Sequence, residues 1–301
     1  MQHTKPRKPI VAVLMSAVLP GFGQLYNGEV NRAIWFYLAF IFINVPWIAV
    51  IALYVSGGLM LPVLVLTLFA GLTVWIYGMI DAFGLAQARQ DYVTERWQSS
   101  GFYVLVFIVA NIVVLPALTM YTRAHQVQPF RIPSVSNEPS VMRGDFVFAD
   151  MRYNCPGCKH RIERGDIAVF AEPNDRTVLY VKRVIGLPDD TITIQGMTVS
   201  VNGEPLSSGA AAADGSITER SETGREWTVQ WDAARTGGPA LEYMVPPGHV
   251  FVLGDNRSNS RDSRHMGTVP MQDVVGRARQ VWFSYEPEGG IRWSRIGKLL
   301  E

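Results

Sequence analysis

From Ala33 to Ile80 the chain carries no charged side chain. Nothing else in the sequence restricts the fold as much. At about 20 residues per crossing of a bilayer, the block is long enough for two transmembrane helices. They are expected over 33–55 and 59–81, with Ser56-Gly57-Gly58 as the turn between them. Asp81 closes the second span and reads as a residue at the lipid–water interface. After a polar loop containing Arg89, Asp91, Glu95 and Arg96, a third apolar stretch predicts a span over 101–121. Basic residues in that loop and at Lys5, Arg7 and Lys8 place both segments on the inner side, which puts everything after Tyr121 outside.

The start of the chain follows a different pattern. The run from Ile10 to Leu19 follows basic residues, as in a secretory leader, but no small-x-small cleavage pattern comes after it. It is too short to cross about 30 Å of hydrocarbon, and Pro20, Gly21 and Gly23 then interrupt it. Residues 9–28 therefore read as an interfacial or re-entrant segment. The word Pro20-Gly21-Phe22-Gly23-Gln24-Leu25-Tyr26-Asn27-Gly28 resembles the opening of TM2-type membrane modules, a likeness that assigns no activity.

Beyond about residue 125 the composition becomes that of a soluble domain. Short apolar runs such as Phe146-Val147-Phe148, Ile167-Ala168-Val169-Phe170 and Val250-Phe251-Val252-Leu253 alternate with turn words such as Arg143-Gly144-Asp145 and Val201-Asn202-Gly203. That pattern predicts a mainly β domain over 125–301, with residues 206–240 as an inserted loop and hairpin region. Residues 1–124 form the membrane anchor. The balance of 27 basic against 26 acidic residues gives no reason to expect a nucleic-acid partner. Both cysteines fall in one CxxC, so no disulfide framework supports the fold.

Two features carry chemistry. Ser134 and Ser136 lie between Pro133 and Pro139, which disfavour helix and predict a stiff extended loop. A serine needs a base to become a nucleophile. Lys182 follows Leu179-Tyr180-Val181 at the end of an apolar strand. Lowering a lysine pKa by about three units from about 10.4 takes about 4 kcal/mol of differential solvation, which burial can supply. A desolvated amine can then act as the base.

Three blocks, in order, resemble the bacterial signal peptidase I (leader peptidase) family of Ser/Lys-dyad serine proteases. They are Phe130 to Val141 with Arg143-Gly144-Asp145, then Arg164-Gly165-Asp166 with Tyr180 to Asp190, then Gly254 to Arg264. The likeness covers about 125–301. It implies an α-helical membrane region followed by a mainly β exported catalytic domain. It implies that Ser136 is the nucleophile and Lys182 the base, with Ser134 donating to the oxyanion and Ser260 orienting the lysine amine. Arg183 with Asp255 and Asp262 with Arg264 are implied as structural ion pairs. Phe130, Ile132, Asn137, Val141, Tyr180 and Val181 are implied as walls of the substrate pockets. The implied enzyme is a multi-pass protein of the cell membrane with its catalytic domain outside. Its partners are signal-peptide-bearing preproteins and the lipid bilayer, and it uses no cofactor or metal.

Three positions depart from the family pattern. Val135 separates the serines, Asn137 stands where methionine is usual, and Asp189 replaces a turn glycine. Asn137 puts an amide where an apolar pocket wall is expected, and with the unusual anchor it supports a specialised pilin or conjugation peptidase as the alternative. A non-catalytic membrane scaffold is the third reading, opposed by the joint presence of Ser136, Lys182 and Ser260. His265, next to Asp262 and Ser263, allows a Ser/His/Asp triad on paper, but a surface role is preferred because the Ser/Lys match leaves it no vacancy. Cys155 and Cys158, with His160, admit a disulfide, a zinc site or a redox pair, with a disulfide capping a hairpin preferred outside the cell. Trp282, Phe283, Tyr285 and Trp293 suit either the core or a lipid-facing surface.

Overall fold

The computed structural model describes residues 6–300 except 56, 90, 155–159, 210, 233 and 235–239. Cys155 and Cys158 thus lie outside the described residues. The chain divides into two compact units, Met1–Ile51 with Leu61–Thr122, and Ala52–Met60 with Arg123–Glu301.

The first unit is helical. Helices α1 (Pro9–Val18) and α2 (Phe22–Tyr26) precede α3 (Val30–Tyr54) and α4 (Met60–Ala88). Helix α5 (Ser100–Ile108) continues through a π-helical turn, Val109–Val114, into α6 (Leu115–His125). Val30–Tyr54, Gly57–Ala88 and Ser100–His125 are long and apolar enough to cross a membrane. Residues such as Leu66, Phe69 and Ile112 stay exposed along their flanks, as a hydrocarbon solvent permits. The second helix runs past the apolar block because Ala82 to Ala88 offers several good helix formers and no proline.

The segment over 9–28 is more than an interfacial strip. Ser16, Gln24 and Asn27 are fully buried. The Gln24 amide donates to Gly78 O at 2.7 Å, the Asn27 amide donates to Ala82 O at 2.8 Å, and the Trp75 indole donates to Ser16 O at 2.9 Å. Asp81 lies inside α4, which continues to Ala88, and accepts from Arg32 and from Gln24, so it cross-links three helices where the sequence suggested the end of one. Polar groups left unpaired in such a setting would cost several kcal/mol each, which is why this short polar word is locked onto α4.

The second unit is built on an eight-stranded antiparallel sheet. Its strands are β1 (Val127–Arg131), β2 (Asp145–Asp150), β3 (Ile167–Glu172) and β4 (Asp175–Gly186). Between β4 and the rest of that sheet the chain inserts β5 (Thr191–Gln195), β6 (Thr198–Val201), β7 (Glu204–Pro205), β8 (Ser216–Arg220), β9 (Glu226–Gln230) and β10 (Leu241–Met244). It then returns through β11 (His249–Leu253), the short helix α7 (Ser263–Met266), β12 (Val269–Pro270), β13 (Val274–Glu286) and β14 (Gly290–Ile291). The large sheet runs β1-β2-β13-β3-β4-β11-β12, with β14 paired to β13. The insertion forms a four-stranded sheet, β10-β5-β6-β7, and the β8–β9 hairpin. Insertion therefore begins at β5, earlier than the composition shift at 206 indicates, because β5 and β6 alternate apolar and polar residues like ordinary strands.

Residues 52–60 belong to this unit. The last carbonyls of α3 have no partner inside the helix. Ala52 O accepts from the Gln280 amide at 3.0 Å, Leu53 O accepts from Arg279 at 2.9 Å, and the Gly57 N–H donates to Gly297 O at 3.0 Å.

Three apolar clusters fill the unit. One, around Val147, Ile167 and Val281, lies under the serine loop, and a second gathers around Phe170 and Val252. The third, with Ile192, Trp227, Val229 and Phe251, joins the insertion to the main sheet. Through this last core runs an ion pair that no sequence word announces. Arg257 donates to both oxygens of Glu219, at 2.6 and 2.5 Å, and the Trp227 indole donates to the same carboxylate at 2.8 Å. Arg257 and Glu219 are both about 1% exposed. Glu219→Ala should therefore destabilise the full-length protein by about 3–5 kcal/mol, by leaving the Arg257 charge buried and unmatched, with Glu219→Gln costing less. Thermal unfolding of both variants in detergent measures the difference.

Candidate active site

Strand β1 ends at Arg131, and the chain continues extended through Ser134 before turning. The serine loop is thus extended only in its first half. Glu138 N–H donates to Val135 O and Val141 N–H donates to Asn137 O, which closes a compact turn at Ser136. The loop is seated from below by Gly254. A methyl group there would stand 2.4 Å from Ser136 O and 2.2 Å from Ser260 Oγ, so only glycine fits between the two segments. From the same block Asn256 donates twice, through its N–H to Ser136 O (3.1 Å) and through its amide to Val135 O (3.2 Å).

Lys182 reaches this loop from β4. Ala168 of β3 lies beside it, and residues 182–186 are buried where the β3 pairing, which reaches Arg183, gives way to the β11 pairing from Arg183 to Gly186. Lys182 is 5% exposed, and its Nζ is 2.6 Å from Ser136 Oγ. Ser134 Oγ is 3.2 Å from Ser136 Oγ. The Tyr180 ring lies 5.4 Å from the amine. Burial pushes the Lys182 pKa down to about 8, against the opposing pull of the Asp262 and Asp255 carboxylates.

Those carboxylates are themselves committed. Asp255 takes a bidentate pair of bonds from Arg183, both at 2.8 Å, with both residues 1% exposed. Asp262 accepts two bonds from Arg264 at 2.8 Å and one from the Gly254 N–H at 3.0 Å. Burial alone would raise the Asp262 pKa, but Arg264 and the backbone donor hold it below the ordinary carboxylate value. Each acid is therefore paired before its charge reaches Lys182.

Above the dyad lies a groove of about 410 Å³. Phe130, Ile132, Asn137, Tyr180 and Val181 line it together with the serines and Lys182. Val141, expected as a wall, is fully buried in the cluster below and supports the floor instead, because the turn after Asn137 directs it inward. Asn137 is 3% exposed, and its amide donates to Val181 O at 2.6 Å, tying the serine loop to the strand that carries Lys182. Ser260 is close to the site, but no hydrogen bond joins its hydroxyl to the Lys182 amine, which is turned toward Ser136.

Several supports were invisible in single words. Asp166 pairs with Arg225 and Arg277, and Asp145 pairs with Arg295, each aspartate being fully buried. The repeated Arg-Gly-Asp words were a signal. In each the aspartate accepts from the backbone N–H three residues earlier, Met142 or Glu163, and Gly144 and Gly165 have positive φ. Asp189, in place of a turn glycine, has φ +71°. His265 is exposed and outside the groove, so the triad gains no geometric support. Among the described residues no cluster of metal-ligating side chains is present.

A buried amine against a serine hydroxyl, on an antiparallel sheet, marks the class of serine peptidases that dispense with histidine. Residues 103–283 match the family of signal peptidases, peptidase S26, and the chain belongs to that family. It is 30% identical to the signal peptidase I of Pseudomonas aeruginosa over 294 residues, covering 85% of this chain and 99% of that protein. To the signal peptidase I of Pseudomonas fluorescens it is 29% identical over 295 residues, with the same coverage. A crystal structure of a signal peptidase I from Enterococcus faecalis matches at 29% identity and a TM-score of 0.27, covering 38% of this chain and 95% of that one.

The lowered Lys182 pKa has a consequence for stability. Between about pH 8 and its unfolded value near 10.5, the unfolded chain binds a proton that the folded chain does not. Stability gains from this group as pH rises through that window, and below pH 8 the full desolvation cost is present. Lys182→Met should therefore unfold at a higher temperature than the wild type at pH 7, by an increment on the order of 3 kcal/mol that shrinks toward pH 10. Paired thermal melts at the two pH values test the sign.

Proposed function

We propose that this chain is a membrane-bound serine endopeptidase that removes N-terminal signal peptides from exported preproteins. The observation that carries the reading is the Lys182 amine 2.6 Å from the Ser136 hydroxyl, with both side chains buried at the floor of the groove. In its neutral form Lys182 takes the proton of Ser136 as Oγ attacks the scissile carbonyl. Ser134 stands where its hydroxyl can donate to the developing oxyanion, a contribution worth about 3–4 kcal/mol in comparable sites. The ammonium then gives its proton to the departing amine, and water, deprotonated by the same lysine, releases the acyl group. Arg183–Asp255 and Asp262–Arg264 hold the loops that carry these groups.

The substrate enters as an added strand. Strand β11 pairs with β4 only from Arg183 to Gly186, so the β4 edge at 178–181 faces the groove without a strand partner there. An extended peptide can take hydrogen bonds from this edge and from β1, with alternate side chains entering the groove. The walls made by Ile132, Tyr180 and Val181 are, in this reading, the ones that accept small side chains. Membrane anchorage follows from the three apolar helices. The outward placement of the catalytic domain is supported by two features: basic residues at the N-terminus and at 84–100, and the grouping of residues 52–60 with the catalytic unit, which puts the first inter-span loop and that unit on one side. No metal or cofactor is part of this reading.

Purified full-length enzyme should cleave a preprotein after a small-x-small sequence, and Ser136→Ala or Lys182→Ala should reduce kcat/KM by at least about 10³-fold. Because only the neutral amine works, kcat/KM should rise about tenfold per pH unit below pH 8 and level off above it. Wild-type-like turnover by either variant would refute the dyad. Complementation of a strain depleted of its general signal peptidase separates broad processing from a single specialised substrate.

A further inference from the structure

The groove continues past the dyad. Asn259 and Arg261 line it, and both also line a second cavity of about 410 Å³ with Ser260, Arg257, Arg264 and His265. The loop carrying them is tied to the nucleophile by the Asn256 N–H on Ser136 O. No carboxylate lines either cavity among the described residues. The charges of Arg257 and Arg264 are matched by buried Glu219 and Asp262. Arg261 is exposed, and no ion pair of its side chain is present among the described residues.

A peptide cleaved at Ser136 has two sides. On the peptidase reading its upstream side would lie in the stretch of groove lined by Phe130–Ile132 and Val178–Val181. On that reading the downstream residues would leave past Ser136 and Lys182 toward Asn259 and Arg261, which line the same groove. We infer that the second cavity receives the first residues of the mature chain, and that Arg261 makes it select for a carboxylate-bearing side chain at the first or second position after the cut. This deepens the peptidase reading above and rests on it. A lysine at those positions would face an unmatched guanidinium with no acid near it, whereas an aspartate would find a partner at the rim.

The test uses purified full-length enzyme and three preproteins identical except for Asp, Ala or Lys at the second position after the cleaved bond. For wild type, kcat/KM should favour Asp over Lys about fivefold at low salt, as expected for one partly exposed ion pair and its like-charge counterpart. The preference should fade toward unity near 1 M salt, where the screening length is about 3 Å. Arg261→Ala should bring the Asp/Lys ratio close to one, and Arg261→Glu should invert it. Taking the ratio within each enzyme cancels any general loss of activity. An Asp/Lys ratio unchanged by Arg261→Glu, or one insensitive to salt, overturns the inference while leaving the peptidase intact. Failure of the wild type to cleave any of the three removes the peptidase reading itself, and this subsite with it.

Discussion

The whole catalytic unit is arranged around one unfavourable act, the removal of a lysine amine from water. A protonated Lys182 in water is no base. Buried at 5% exposure beneath the serine loop, it titrates near pH 8 and faces Ser136 at hydrogen-bonding distance. Two carboxylates nearby would undo this by favouring the ammonium. Each is instead held by an arginine, Asp255 by Arg183 and Asp262 by Arg264. Their pairing explains why a site so rich in charge can still keep a neutral amine.

The architecture supplies the desolvation. Lysine on an open edge would find water, but Lys182 pairs with Ala168 of β3 and stands one residue before the β11 pairing begins at Arg183, with the serine loop packed over its amine. Before Arg183, β4 has no β11 partner, and its edge opens into the groove. A single strand thus carries both the buried amine and an open edge beside it. The inserted strands share a core with the main sheet, and that core contributes the Glu219–Arg257 pair that anchors the loop after Gly254. Gly254 lets that loop and the serine loop come together more closely than any side chain would allow.

The anchor obeys the same physics with the solvent reversed. Among these apolar helices, several polar groups find partners on neighbouring elements. Gln24 and Asn27 reach backbone carbonyls of α4, and Asp81 takes Arg32 and Gln24. The end of α3 leaves that environment and gives its last carbonyls to Arg279 and Gln280 of the catalytic unit.

Local chemistry was legible without coordinates. The uncharged block and the short alternating strands declare themselves in a few consecutive residues, because hydropathy and turn preference act over that range, whereas the words holding Ser136, Lys182, Asp255 and Asp262 stand out through their resemblance to a known family. Pairings across long separations were not. Glu219 with Arg257, Asp145 with Arg295, and Asn137 with the Val181 carbonyl join positions dozens of residues apart, and each isolated residue looks like an ordinary surface polar group. The retreat of Val141 into the core, the turn that begins at Ser136, and the missing bond from Ser260 to the lysine amine depend on how packed segments settle against one another. Sequence therefore determined which groups are present and what solvent each segment requires. Tertiary structure alone decided which amine is dry and which carboxylate is already neutralised, since desolvation and charge pairing belong to a three-dimensional neighbourhood.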